Sequence, residues 1–515
     1  MKLGAKAAFA AATLSAALCL TACGGSAAGP DAAGTAAGAA TKTVKAMTIG
    51  SLADAKSFDP VDARTGHAMP IFQTVYDTLL LRDRDGKISP MLATKWEYNA
   101  DNTVLTLTLR DGVTFSDGTP FDAAAVKANM DNFKAVKGQD AYQVNSVKEV
   151  AVVDPRTVTI TLNAADPAFE YYLTLAAGFM ASPKALGTPE LKTDPRGSGP
   201  YVLDKANSVK GSQYVFTKRD GYWNKDLQKF EKVTIKILTD ATARTNALVS
   251  GQIDAALLDP KNGKQAEGAG MKLNKSQVDW TGIFLYDRDG KISPELANVK
   301  VRQAINHAFD RKTIKEQQFL GQGTETTQIF GPESGAYVPD LDNRYPYDPE
   351  KAKKLLAEAG YPNGFTIKYP TTAGSDSLNA VYAQQLADIG IKLELETIPQ
   401  PNLVADMAAG KYAAGSYSLF QAGPWVSITQ IIGQSALYNP FKTTTPELES
   451  LISEVQNGGE KSSELAKKVN TYVTENAWFA PILRLDQMYY TGKNVNVKPQ
   501  AHQAVPSIYN YEPAK

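Results

Sequence analysis

The chain has 515 residues, of which 43% are apolar, 9% aromatic and 21% charged, enough for two to four structural units with cores of their own. Lys+Arg and Asp+Glu both number 54, which argues against whole-protein attraction to nucleic acid or to an anionic membrane surface. Two cysteines and three histidines (His67, His307 and His502) exclude a disulfide scaffold, an iron–sulfur site and a multi-His or multi-Cys metal cage.

Lys2 and Lys6 precede an uncharged apolar run from Ala7 to Leu20. That run is shorter than the roughly 20 residues a membrane-spanning helix needs, and it suits a secretory signal peptide. It ends in Leu20-Thr21-Ala22-Cys23, followed by Gly24-Gly25-Ser26, and so resembles the bacterial lipoprotein signal. The resemblance implies a signal peptide over 1–22 and a thioether-linked diacylglycerol on Cys23. The alternative is an ordinary signal peptide with an accidental cysteine. Residues 24–43, nearly all small and polar, bury too little to offset their entropy and read with Cys23 as a flexible tether.

The remainder reads as mixed α/β. A strand is expected over 44–50 and a helix over 67–81, with Phe72, Val75 and Leu79 on one face. Strict alternation marks a strand over 104–110, and Asp122 caps a helix carrying Val126, Met130 and Phe133. Asp154-Pro155-Arg156 joins two strand-like runs as a hairpin. Strands follow at 213–218 and 231–238, then a helix over 241–250, Gly251 and a strand at 253–257. Further on, Asp348-Pro349 opens a helix that Gly360 closes. Strands at 365–369, 391–397 and 416–420 alternate with helices at 377–389 and 402–409. That rhythm is the pattern of a parallel sheet and places a ligand beyond the strand ends, near the loop after Phe420.

An ordered series of segments carries a resemblance. It includes Val75-Tyr76-Asp77-Thr78-Leu79, Leu109-Arg110-Asp111-Gly112 through Phe121, Ser198-Gly199-Pro200-Tyr201, Arg219-Asp220-Gly221-Tyr222-Trp223, Leu248 through Asp254, Val301-Arg302-Gln303-Ala304-Ile305 and Tyr347 through Ala352. Across about residues 44–510 the chain resembles the extracellular solute-binding protein family 5 of ABC importers, the group that includes oligopeptide-, dipeptide- and nickel-binding proteins. The resemblance implies a two-lobed, periplasmic-binding-protein-like α/β fold of the cluster C type with a hinge of crossing segments. Residues 44–285, with an insert at about 81–195, would form one lobe completed by 486–515; residues 286–485 would form the other. It also implies a monomer without cofactor, working with a permease and ATPase and touching the membrane through its lipid alone.

The octapeptide Asp83-Arg-Asp-Gly-Lys-Ile-Ser-Pro90 recurs unchanged at 287–294. Its glycine comes too early for an EF-hand, so two similar exposed turns are expected rather than paired calcium loops.

For the ligand site, peptide-binding relatives carry a Trp and an Asp after a strand of the second lobe, the Asp pairing with a peptide α-ammonium. Here the stretch is Tyr417-Ser-Leu-Phe420-Gln421-Ala-Gly-Pro-Trp425, without the aspartate. A desolvated ammonium would be unpaired there, so a neutral or anionic amphipathic solute is expected. Gln421 would hydrogen-bond it, and Phe420 and Trp425 would stack on it, unless Trp425 merely plugs the lobe core. Phe58, Arg64 and His67 after the first strand, and Trp280 and Tyr286 on a crossing segment, complete the candidates with Tyr417. A metal chelate is a further alternative, although no protein metal site is expected.

A secreted hydrolase is the other class of function. Without a Gly-x-Ser-x-Gly elbow, a His-Glu-x-x-His motif or a free thiol in the mature chain, only anonymous carboxylate pairs remain for it, so an enzyme is not expected. A sensor that presents its solute to a membrane partner shares every feature of a transport protein.

Overall fold

The computed structural model describes residues 45–64, 66–136, 138 and 140–514, which belong to one compact unit. The expectations for the signal peptide, Cys23 and the tether lie outside the described residues.

The fold is a two-lobed α/β structure hung on one sheet. Its opening strand, Ala46–Ser51, buries Met47 and Ile49 and pairs in parallel with Lys232–Ile237 and Ala255–Leu258. Gln213–Lys218 and Tyr201–Leu203 extend that side. The other side continues into two long strands, Lys272–Leu285 and Phe479–Thr491, and ends on Ala414–Phe420. Fourteen residues at about 3.3 Å each give a strand of roughly 45 Å, long enough to serve both lobes. One end of the long pair joins Ala255–Leu258 through Met488–Thr491; the other joins Ala414–Phe420.

Register shifts interrupt the pair between Gln277 and Asp279 and between Thr281 and Gly282. Such bulges bend a ribbon, which suits a hinge. Gly282 is required at the second: a Cβ there would lie 2.4 Å from the Ala480 carbonyl oxygen.

Separate apolar cores flank this spine. The largest gathers Phe72, Tyr76, Phe179, Leu105, Leu107 and Ile160 around the opening strand and a four-stranded antiparallel sheet. That sheet, Ala93–Tyr98, Val104–Leu109, Thr157–Leu162 and Val147–Asp154 in spatial order, lies within the expected insert. Its helix, Ala123–Ala135, is capped as expected by Asp122, whose carboxylate accepts from Ala125 N at 2.8 Å. Beyond the hinge, Val299–His307, Pro349–Glu358 and Asp376–Ala387 cover a second core with the parallel pair Phe365–Thr371 and Ile391–Thr397. A third core is aromatic, built on Trp280, Phe284, Tyr286, Trp478 and Phe479.

Three expectations change. The helix expected over 67–81 is only Met69–Val75. Gly199 N donates to the Val75 carbonyl, and a Cβ on Gly199 would sit 2.4 Å from the Val75 carbonyl carbon, so an incoming segment turns the chain out of the helix. Next, Ala414–Phe420 pairs antiparallel with Lys272–Leu285 and does not extend the parallel pair. Finally, the two octapeptides do form matching turns, Asp83 accepting from Lys87 N and Asp287 from Lys291 N, but Asp287 and Arg288 are buried. Arg288 lies 3.9 Å over the Trp478 ring, so the second copy is anchored in the aromatic core rather than exposed throughout.

Candidate functional site

The residues singled out from sequence separate into three groups. Phe58 is buried in the first core, edge-on to Tyr214 at 5.2 Å, with its carbonyl accepting from the Tyr76 hydroxyl. Arg64 is exposed. His67 lines a recess of about 20 Å³ with Ile49, Pro70 and Tyr489, room for little more than a water. Burial and the neighbouring Arg244 charge hold its imidazole below the usual range.

Trp280, Tyr286 and Tyr417 belong to the aromatic core and its rim. Trp280, only 1% exposed, stacks on Phe284 at 4.9 Å, and Tyr417 meets Tyr438 at 5.1 Å. Burial pushes the Tyr286 hydroxyl well up. None of the three lines the larger cavities described next.

The loop after Phe420 behaves differently. Phe420 packs against the first-lobe core, while Gln421 and Trp425 line cavities between the lobes. Trp425 touches the cores of both lobes, and its indole helps hold down the carboxyl of Asp166 on the insert. A hydrogen bond crosses nearby, from Gln456 Nε2 to the Ala165 carbonyl at 3.0 Å.

Two adjoining cavities share Pro167, Gly459 and Glu460. The first, of about 570 Å³, is lined by Trp96, Tyr98, Asp166, Glu170 and Glu460 among others. Burial pushes the Asp166 carboxyl upward, although it accepts from Ala168 N at 3.1 Å. Burial does the same to Glu170, and the like charge of Glu460 adds to it.

The second cavity, of about 260 Å³, is lined by Arg82, Tyr171, Glu333, Trp425 and His502 among others. Arg82 is only 6% exposed. Its Nη2 donates to Gln503 Oε1 at 3.0 Å and its guanidinium lies 4.9 Å from the Tyr171 ring centre, but Nε and Nη1 have no hydrogen-bond partner. Among the described residues no carboxylate forms an ion pair with it. A buried cation left with free donors is costly, and an anionic group of a ligand would satisfy it. Gln503 Nε2 is also buried without a partner, as is Gln421 Nε2 beside a neighbouring recess of about 130 Å³.

The expectation of a neutral or anionic solute rests on the loop after Phe420 alone. The loop after Phe420 has no aspartate, but Asp166, Glu170 and Glu460 bring carboxylates to the same cleft from other segments. Sequence reasoning missed Arg82, Asp166, Glu170 and Tyr171; Arg82 stands beside the noted octapeptide, where only its turn was read.

A family model for bacterial extracellular solute-binding proteins, family 5, matches residues 87–429. The chain belongs to that family. It is 32% identical over 384 residues to the glutathione-binding protein GsiB of Salmonella paratyphi A, covering 72% of this chain and 73% of that one. Among solved structures, HbpA2 of Haemophilus parasuis superposes with a TM-score of 0.80 at 23% identity, over 91% of this chain and all of the other. The ABC transporter-associated periplasmic binding protein DppA of Helicobacter pylori, in complex with the peptide STSA, gives 0.73 at 22% identity, over 92% and 99%. These structures share the two-lobed fold that the sequence resemblance implied. The family is one of solute-binding proteins rather than enzymes. Among the described residues no helix is long and apolar enough to cross a membrane, and no three His, Cys, Asp or Glu side chains are grouped to hold a metal.

Proposed function

We propose that this protein is the lipid-anchored solute-binding component of an ABC importer. Held at the outer face of the cell membrane through Cys23, it encloses a small peptide-like solute between its lobes and delivers it to a permease and ATPase. One observation carries the reading: the buried Arg82, with two free N–H donors, faces a cavity lined from both lobes. Cavities of a few hundred cubic ångströms suit a ligand of peptide size. The relative named for glutathione binding and the structure holding a tetrapeptide support a peptide-like ligand.

The test is to denature purified protein, identify the released solute by mass spectrometry and return it to refolded, stripped protein under small-angle scattering. A retained solute with a free carboxylate that lowers the radius of gyration is expected, because ligand shifts lobes toward the state it binds better. No retained solute, and a scattering profile that nothing in the growth medium alters, would overturn the reading.

A further inference from the structure

Resting on that reading, we infer that the solute is a zwitterion with net positive charge, its carboxylate held at Arg82 and its cationic groups in the acidic half of the cleft. The two adjoining cavities differ in their charged lining: the second holds Arg82 beside Glu333 and Glu460, the first only carboxylates. At one end the only fixed cation is Arg82, its Nε and Nη1 unpartnered and its neighbour Gln503 offering a further free N–H. That donor cluster fits one carboxylate, and Gln503 already fixes the guanidinium plane through Nη2.

At the other end Asp166, Glu170 and Glu460 line one cavity beside Trp96 and Tyr98, with no lysine or arginine in its lining. Glu333 adds a further carboxylate along the second cavity. Glu97 is the one acidic lining residue with a salt bridge, to Lys95. Burial disfavours the charged forms of Asp166 and Glu170, and the like charge of Glu460 adds to it at Glu170, a cost that an ammonium or guanidinium placed beside them would relieve. The indole and phenol rings offer faces to the same cation. A single ammonium balances one of these carboxylates; the remaining excess selects a solute with a second positive group.

The size of the space agrees. The shared residues Pro167, Gly459 and Glu460 set the two cavities side by side, an arrangement suited to a short extended molecule rather than a compact amino acid. An anionic tripeptide such as glutathione has a carboxylate for Arg82 but brings further negative charge toward the acidic end.

Calorimetry on stripped wild-type protein decides the matter with four probes: lysyl-tyrosine, its C-terminal amide, glutamyl-tyrosine and glutathione. Lysyl-tyrosine should bind about tenfold or more tighter than each of the others, the size of one charge-assisted hydrogen-bond set gained or lost. In Arg82→Met the advantage of free acid over amide should vanish. In Glu170→Gln, which leaves Arg82 intact, the advantage of lysyl over glutamyl should shrink several-fold. Melting temperatures of both variants separate loss of fold from loss of discrimination, and the wild-type ranking stands if either variant fails to fold. Equal affinity for acid and amide, or a preference for glutamyl-tyrosine or glutathione, overturns the inference. So does failure of all four probes while the protein rebinds its released solute, a result that leaves the solute-binding reading intact.

Discussion

Replacing Trp425 by Phe tests whether the loop after Phe420 closes the cleft or only fills a core. Trp425 packs against the cores of both lobes, and the smaller ring gives up part of that contact. Trimming the indole to a phenyl removes roughly 40 Å² of apolar surface, about 1 kcal/mol at about 25 cal/mol per Å². Because that contact joins the lobes, its loss acts on the closed state alone. The closed population should fall about fivefold relative to the open one, and apparent affinity for the retained solute should weaken by a similar factor where the open state predominates without ligand. Titration calorimetry with that solute measures the affinity, and a cycle with Gln456→Ala, which removes the bond to the Ala165 carbonyl across the same seam, measures the coupling, expected at about 0.5 kcal/mol. Unchanged affinity with a lowered melting temperature, or strictly additive single variants, would refute the closure argument and leave Trp425 as packing.

Cys23→Ala should move the protein from the membrane fraction to the medium in a fractionation blot; retention at the membrane would exclude the lipid anchor. Asp77 is buried among Tyr222, Trp223 and Ser198, and burial pushes its carboxyl to about 6 despite bonds from the Tyr222 hydroxyl at 2.7 Å and Trp223 Nε1 at 2.8 Å. Its folded value exceeds the unfolded one of about 3.9, so the stability it lends is full below about pH 4 and is lost as pH rises through about 6. The unfolding free energy of the wild type relative to Asp77→Asn should therefore fall by about 2 kcal/mol between pH 4.5 and 7, by urea titration; a difference that stays constant would refute it.

Much of the fold is written locally. Asp122, Asp240 and Asp348 each accept from the backbone N–H three residues on, the event that their place before an apolar-periodic run announces. Gly251 and Gly360 have positive φ where helices end. Where sequence reading overshot, a distant segment intervened. Helical periodicity runs past Val75 to Leu79, but Gly197 and Gly199, over a hundred residues later, take up the Val75 carbonyl and its surroundings. The antiparallel partner of Ala414–Phe420 is likewise a strand that ends well over a hundred residues earlier, beyond the reach of a local strand–helix rhythm.

The site was less legible because its chemistry is assembled from single residues of separate segments. Arg82 sits in a short hairpin strand whose sequence reads as ordinary edge, and only the packing of Tyr171 and the Gln500–Gln503 return makes it a buried cation. Equal totals of acidic and basic residues conceal that the cleft gathers several carboxylates while Arg82 stands without an ion pair at one side of it. The absent aspartate after Phe420 misled for the same reason: a ligand meets charges by position in space, and the insert supplies from Asp166 and Glu170 what that loop lacks. Trp425 was legible because a ring just beyond a strand end is where such folds meet their ligands. Its indole acts on the Asp166 carboxyl, so the loop that was read and the carboxylate that was missed meet between the lobes.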